Sequence, residues 1–374
     1  MSKNYTMTLI ATLVVALFVF ALVIANTQKE VGNSAIPVAT LSPKPELTVG
    51  PLPTFPIEAV TSSVSFRDVR AIYATTRVAL SPKNRESLID LIDQTELNAL
   101  VITVKDGDGV YLDKAMERVV HELRDRGVYS IARIVVFQDN DLGRRRPDLA
   151  LKASDGSLWV DHGGYRWVDP ASEEIWRYNA DVALKALALG FNEVNLDYIR
   201  FPSDGDVTKI VYPIYDQKQS KNSVVRGFFN YFTSRVHEAV PDSIISADLF
   251  AFSFLIDDGM GVGQRLTDAA NYFDVISPMV YPSHYTPGNF GFPNRATEPY
   301  AVVYKTLESG LAMFKGVSTT AAIRPWIQDF DIGAVYDATM VRAEIDAMRD
   351  VGLGNTWMVW NPSNLYEPDK FLRE

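Results

Sequence analysis

Two aspartates, Asp197 and Asp248, stand at the ends of two apolar runs in this chain of 374 residues. The first closes Glu193-Val194-Asn195-Leu196-Asp197, an alternating strand-like stretch that runs on through Tyr198-Ile199-Arg200-Phe201 into a Pro202-Ser203-Asp204-Gly205 turn. The second lies in Ile244–Phe250. Charge clustered where an apolar strand meets a turn is a costly way to build a core. It is the usual way to build a site on the rim of a parallel β-barrel. Two carboxyl groups facing each other across a sugar suit acetal cleavage. One protonates the leaving oxygen and the other serves as nucleophile or base. Arg200, three residues after Asp197, would keep that carboxylate ionised if the two pair. Asp248 lies among Ala247, Leu249, Phe250 and Phe252, where desolvation would raise its pKa and suit it to the acid role. The bland alternative is a structural Asp197–Arg200 ion pair.

The other predicted strand ends add functional groups. Strand two ends in Lys105 and Asp106, strand three in Gln138 and Asp139, and strand six in Tyr281. Strand seven contributes Arg324, Trp326, Gln328 and Asp329, and strand eight Trp357, Trp360 and Asn361. A single strand-end Asp is ordinarily a loop cap, and a strand Trp is ordinarily core. Recurrence of such residues at one end of seven strands favours a shared cleft. The candidate substrate-binding set is therefore Lys105, Asp106, Tyr198, Arg200, Tyr281, Arg324, Trp326, Gln328 and Trp360. The aromatics offer flat faces for sugar C–H groups and polar tips for hydroxyls.

Other chemistries fit less well. The chain has no cysteine, which excludes thiolate nucleophiles, disulfides and Cys-ligated metals. Its four histidines form no HExxH motif, and no GxSxG occurs. His162 and His284 fall in long loops within reach of a substrate. Asp106-Gly107-Asp108-Gly109 resembles part of a calcium loop but lacks the glutamate at position twelve, so a turn is expected. Arg144-Arg145-Arg146 reads as a solvated loop or an anionic-glycan contact. No metal and no organic cofactor is needed for two-carboxylate hydrolysis. A net charge of −10 argues against nucleic acid as a partner.

The elements that must position these residues alternate along the chain. Strands are predicted at 70–76, 99–106, 129–138, 193–201, 244–250, 274–281, 319–328 and 356–360. Helices are predicted at 84–97, 114–126, 171–189, 224–240, 263–271, 298–314 and 338–351. Eight strands alternating with helices predict an α/β (β/α)8 TIM barrel. A doubly wound open sheet would normally carry a Gly-rich phosphate turn after strand one, and none is present. Segments 139–169, 202–220 and 282–296 are long loops after strands three, four and six.

The chain divides into three parts. Leu9–Ala25 is an uncharged apolar run of about 17 residues, near the lower limit for a bilayer-spanning helix. Its length favours an uncleaved signal anchor over residues 1–26. A cleaved signal peptide ending near Ala25 is the alternative. Residues 27–66 form a Pro/Ser/Thr-rich linker that would hold residues 67–374 away from a membrane. Either fate of the N-terminus places the barrel outside the cytoplasm.

On these residues the chain resembles the glycoside hydrolase family of bacterial TIM-barrel proteins long catalogued as a domain of unknown function. The resemblance covers about Arg67 to the C-terminus. It rests on Leu196-Asp197-Tyr198-Ile199-Arg200-Phe201-Pro202, Ser277-Pro278-Met279-Val280-Tyr281-Pro282 and Arg324-Pro325-Trp326-Ile327-Gln328-Asp329-Phe330. Val104-Lys105-Asp106 and Trp357-Met358-Val359-Trp360-Asn361 match less closely. More distantly the chain is similar to amylase-type and α-galactosidase-type barrels, which carry an aspartate nucleophile on strand four. In many of those the acid is Glu or Asp on strand five or six. Here neither strand ends in glutamate, which leaves Asp248 as the candidate. The resemblance implies a relation to known sugar hydrolases and leaves the substrate open; with the N-terminal anchor, the expectation is a glycoside hydrolase acting on a cell-surface or exported polysaccharide. A catalytically silent, glycan-binding scaffold barrel is the competing expectation.

Overall fold

The structure, a computed structural model, describes residues 47–50, 59–60 and 62–372. Leu9–Ala25 and most of the linker lie outside them. No helix among the described residues is long and apolar enough to cross a membrane.

Eight parallel staves form the barrel: β1 (Arg70–Ala74), β2 (Ala99–Asp106), β3 (Tyr129–Val135), β4 (Glu193–Asp197), β5 (Ile244–Phe250), β6 (Val275–Met279), β7 and β8 (Trp357–Trp360). β7 comes in two pieces, Ala322–Ile323 and Trp326–Gln328. Closure is visible at β1, which pairs in parallel with both β2 and β8. The break in β7 falls at Arg324-Pro325, because Pro325 has no N–H to give the ladder. A two-residue antiparallel strand, Gly109–Val110, folds back on the end of β2.

The long helices α1 (Pro82–Gln94), α2 (Lys114–Asp125), α3 (Glu173–Ala188), α4 (Lys221–Ala239), α5 (Pro299–Phe314) and α6 (Ala338–Asp350) pack outside the staves. Between β5 and β6 there is only a short helix, Leu266–Ala269. It covers less than the predicted 263–271, a segment that opens on Gly263 with φ 92. The helices start where capping chemistry is supplied. Asp113 accepts from the Ala115 and Met116 amides, and Ser172 accepts from the Ile175 amide ahead of Glu173 and Glu174. Met116, Val119, Val120 and Leu123 then form the buried stripe of α2 at helical spacing.

Strand alternation decides what faces the barrel interior. In β4, Val194 and Leu196 join the apolar layer between staves and helices. Glu193, Asn195 and Asp197 are buried on the opposite, inner side. A polar column therefore runs up the inside of one stave, beside a smaller apolar cluster that includes Ala71, Val101, Ile131 and Met358.

Candidate active site

The register of β4 and β5 sets Leu196 opposite Ala247, which brings the next residues, Asp197 and Asp248, side by side on neighbouring staves. Both line one cleft of about 110 Å3 at the carboxyl ends of the strands. That is room for several water molecules, each of which needs roughly 10–15 Å3 on this measure. Tyr198, Arg200, Tyr281, Trp326 and Trp360 line it as well, as do Tyr73, Arg133, Phe250 and Met279.

Asp197 is the last residue of β4, because Tyr198 takes φ 54. A left-handed aromatic residue is strained. The turn it makes ends the strand well short of the predicted Phe201. The Tyr198 amide folds back onto Asp197 Oδ1 at 2.6 Å. Asp197 Oδ2 pairs with the Arg133 guanidinium. Arg133 also donates to Thr103 Oγ1 at 3.1 Å, and that oxygen contacts the Tyr73 hydroxyl at 3.0 Å. The Arg133 pKa is raised: burial, the largest single influence, acts to lower it, and Asp197, Tyr73 and Asp248 together outweigh burial.

This corrects the expected Asp197–Arg200 pair. Arg200 Nη1 bonds the Phe201 carbonyl and Ser203 Oγ, both at 3.1 Å. Its guanidinium stacks over Phe250 at 4.4 Å, with Trp167 at 5.0 Å and Tyr198 at 5.2 Å. Arg133 is not one of the strand-end candidates. Its signal is inward alternation in β3, where Tyr129, Ile131 and Arg133 recur at period two.

Asp248 is 1% exposed. Its Oδ1 accepts from Asn195 Nδ2 and from Trp326 Nε1, each at 2.8 Å. Burial first, and then the neighbouring Asp197 carboxylate, push its pKa well above the ordinary carboxylate value, while the Asn195 and Trp326 bonds and Arg133 pull the other way. The direction is upward, because few donors offset complete desolvation. Tyr281 and Tyr198 also stay protonated far up the pH scale. Burial leads in both, with Asp197 adding to each, and Tyr198 is pushed up to about 12. Tyr281 and Trp360 pack at 5.2 Å between ring centroids, and Phe330 meets Trp360 at 5.1 Å. Together these rings form an aromatic wall.

Four expected substrate-binding residues lie elsewhere. Lys105 is buried and points outward, with Nζ 2.8 Å from Asp139 Oδ2 and over the Tyr178 ring of α3. The cause is a register shift between Thr103 and Lys105, which turns Lys105 to the helix side of β2. Asp106 sits in the adjoining hairpin, where its Oδ1 accepts from the Asp108 amide and the Tyr111 hydroxyl. Arg324 is fully buried at the opposite end of the barrel, paired with Glu193 at 2.8 Å and donating to the Phe66 carbonyl. Gln328 stands above Trp326 on β7, but its amide holds loops instead: Oε1 accepts from the Ser283 amide and Nε2 donates to the Phe330 carbonyl.

The two loop histidines flank the cleft without lining it. His162 Nδ1 accepts from the Gly205 amide at 3.0 Å and ties the loop after β3 to the loop after β4. Gly205 must be glycine there, since φ is 79 and a Cβ would lie 2.9 Å from Trp159. His284 packs edge-on against Tyr281. In the basic run, Arg145 pairs with Asp141 and Arg146 with Asp148 and Glu174. Those two guanidiniums therefore serve the loop rather than an anionic glycan.

Solved structures share the architecture. Amy13B of Eubacterium rectale is 10% identical, with 81% of this chain and 67% of that one covered at a TM-score of 0.51. The α-L-fucosidase isoenzyme 2 of Paenibacillus thiaminolyticus is 11% identical at a TM-score of 0.50. It covers 81% of this chain, which spans 47% of that enzyme's length. At such identities the likeness is one of fold. A hypothetical protein from Ruminiclostridium thermocellum is 26% identical over 51% of this chain and 99% of its own, at a TM-score of 0.42. No curated protein matches the chain by sequence. Residues 71–366 match one family profile across nearly the whole barrel, and the chain belongs to that family, described as "Putative glycosyl hydrolase domain".

Proposed function

We propose that this barrel hydrolyses glycosidic bonds of a cell-surface or exported polysaccharide through Asp197 and Asp248. The observation that carries the reading is the contrast between the two carboxyl groups on adjacent staves of one cleft. Asp197 is paired with a guanidinium, and Asp248 is desolvated and shifted upward. Such a divergence assigns acid and base roles. Asp248 in its protonated form gives its proton to the glycosidic oxygen as the C–O bond breaks. The Asp197 carboxylate attacks the anomeric carbon, or activates the water that does. Arg133 holds Asp197 in place, and Trp326 and Asn195 hold Asp248.

Placement at one level on adjacent staves favours the close pairing of retaining enzymes, whose carboxyl groups stand roughly 5–5.5 Å apart, over the roughly 6.5–9.5 Å of inverting ones. The reading therefore takes Asp197 as nucleophile and the anomeric configuration as retained. A separate groove of about 600 Å3 has Phe330 in its wall, and Phe330 packs on Trp360 of the cleft. The apolar Leu9–Ala25 run would anchor the barrel outside the cytoplasm, which protease accessibility in intact cells tests.

The deciding experiment incubates the full-length chain with a panel of polysaccharides and identifies the products, alongside Asp197→Asn and Asp248→Asn. Hydrolysis by wild type alone, with glycan binding kept in both variants, is the expected result. Glycan binding without turnover in any of the three proteins would leave a silent glycan-binding barrel in its place.

A further inference from the structure

Arg200 is a cation whose neighbours do not account for it. It is 7% exposed and lines the cleft. Among the described residues, no carboxylate oxygen lies within 4.0 Å of it. The other deeply buried guanidiniums are accounted for. Arg146 and Arg324 have carboxylate partners, and Arg295 places all three of its nitrogens on the carbonyls of Tyr285 and Pro293. Arg200 engages protein through Nη1 alone. Its Nε and Nη2 have no protein acceptor, and neither is among the fully enclosed unsatisfied atoms, so this edge meets the cleft.

The plane of the guanidinium is fixed by Phe250, Trp167 and Tyr198 around it. Burying an unpaired guanidinium is expensive unless a ligand supplies the missing charge. The Nε–Nη2 edge presents two parallel N–H groups, the arrangement that takes both oxygens of one carboxylate. Arg133 and Arg200 are the two guanidiniums lining the cleft, and Arg133 already takes Asp197 as its partner. Asp204, Asp197 and Asp161 attract Arg200, in that order, all from beyond ion-pair distance. Asp161 is already engaged by Gln138, Trp167 and the Tyr165 amide.

We propose that the saccharide bound in this cleft carries a carboxylate, a uronic acid unit, and that Arg200 recognises it side-on through Nε and Nη2. The inference rests on the glycosidase reading and narrows its substrate class.

The test measures binding and hydrolysis by the full-length chain on matched pairs of oligosaccharides: uronic acid oligomers, their methyl esters, their neutral hexose counterparts and a sulfated neutral set. Wild type should bind the acidic oligomer at least about tenfold more tightly than its methyl ester, and less so as salt rises. Arg200→Gln should erase that preference, read as the ratio of acid to ester affinity within each protein, so that any general loss of glycan binding cancels. Equal affinity for acid and ester in wild type overturns the proposal, and needs no variant. So does a preference that survives in Arg200→Gln, or one confined to the sulfated set. Hydrolysis of neutral glycans without acidic preference sinks this inference and leaves the glycosidase reading standing. No hydrolysis of any member of the panel sinks that reading itself.

Discussion

One stave carries two buried carboxylates, and they differ in everything except their pairing with arginine. Glu193, at the start of β4, is locked by Arg324 through several hydrogen bonds, with the Tyr129 hydroxyl at 3.2 Å completing its shell. Both side chains are fully enclosed. Asp197, four positions on, is paired with Arg133 beside an open cleft and next to a second carboxyl group. The lower pair closes the barrel floor. The upper pair has space above it, a desolvated carboxyl group with a raised pKa beside it and a guanidinium without a carboxylate partner across the cleft. Charge inside a barrel becomes chemistry only where there is room for a reactant and an imbalance left for it to meet.

The largest expected effect belongs to the upper end. Asp248→Asn should lower kcat by about 10²–10⁴, the range of a lost general acid, and Asp197→Asn by at least as much, with melting temperatures near wild type. Product anomers followed by NMR on the same substrate should retain configuration. The lower end should answer in stability rather than rate. Arg324→Met strands Glu193 as a buried charge and should cost about 3–5 kcal/mol in denaturant unfolding. Adding Glu193→Gln should recover much of that loss, and kcat per folded molecule should hold. If Arg324→Met left stability intact and removed turnover, the division between the two ends would fail.

A smaller effect is expected of Trp326→Phe, which removes one donor from Asp248. Stability should fall by about 1 kcal/mol. Because that bond favours the ionised form, its loss should move the alkaline limb of kcat/KM to higher pH. Stability should also depend on pH through Asp248. Its folded pKa lies above the unfolded one, so its contribution is fully present below the unfolded value near 3.8 and is lost as pH rises through the folded value. Asp248→Asn should flatten that slope in pH-dependent denaturation.

Much of this was legible in the sequence, and each failure has a local cause. β2 and β5 fall where apolar runs predict them, at Ala99–Asp106 and Ile244–Phe250. β4 is shorter than its alternation predicts because no pattern announces a left-handed tyrosine, and β7 is broken because Pro325 interrupts an otherwise strand-like run. Asp197, Asp248, Tyr198, Arg200, Tyr281, Trp326 and Trp360 do meet in one cleft. Lys105 was misplaced by a single register shift in β2, which no residue in Thr103-Val104-Lys105 reveals. Arg324 was misplaced because a residue near the β7 break reads as a strand end, whereas it stands at the barrel floor. Arg133 was overlooked because it lies within a strand rather than at its end. Its partner could be chosen only once β3 and β4 were set side by side, with Arg133 opposite Asn195.

The asymmetry between the two upper carboxyl groups is the claim on which the mechanism rests, and it can be measured without a substrate. Infrared difference titration of wild type minus Asp248→Asn isolates the carboxyl stretch of Asp248. The account predicts a protonated signal that persists well above pH 3.8, the ordinary aspartate value. A signal that vanishes near pH 3.8 would contradict it and remove the acid from the proposed mechanism.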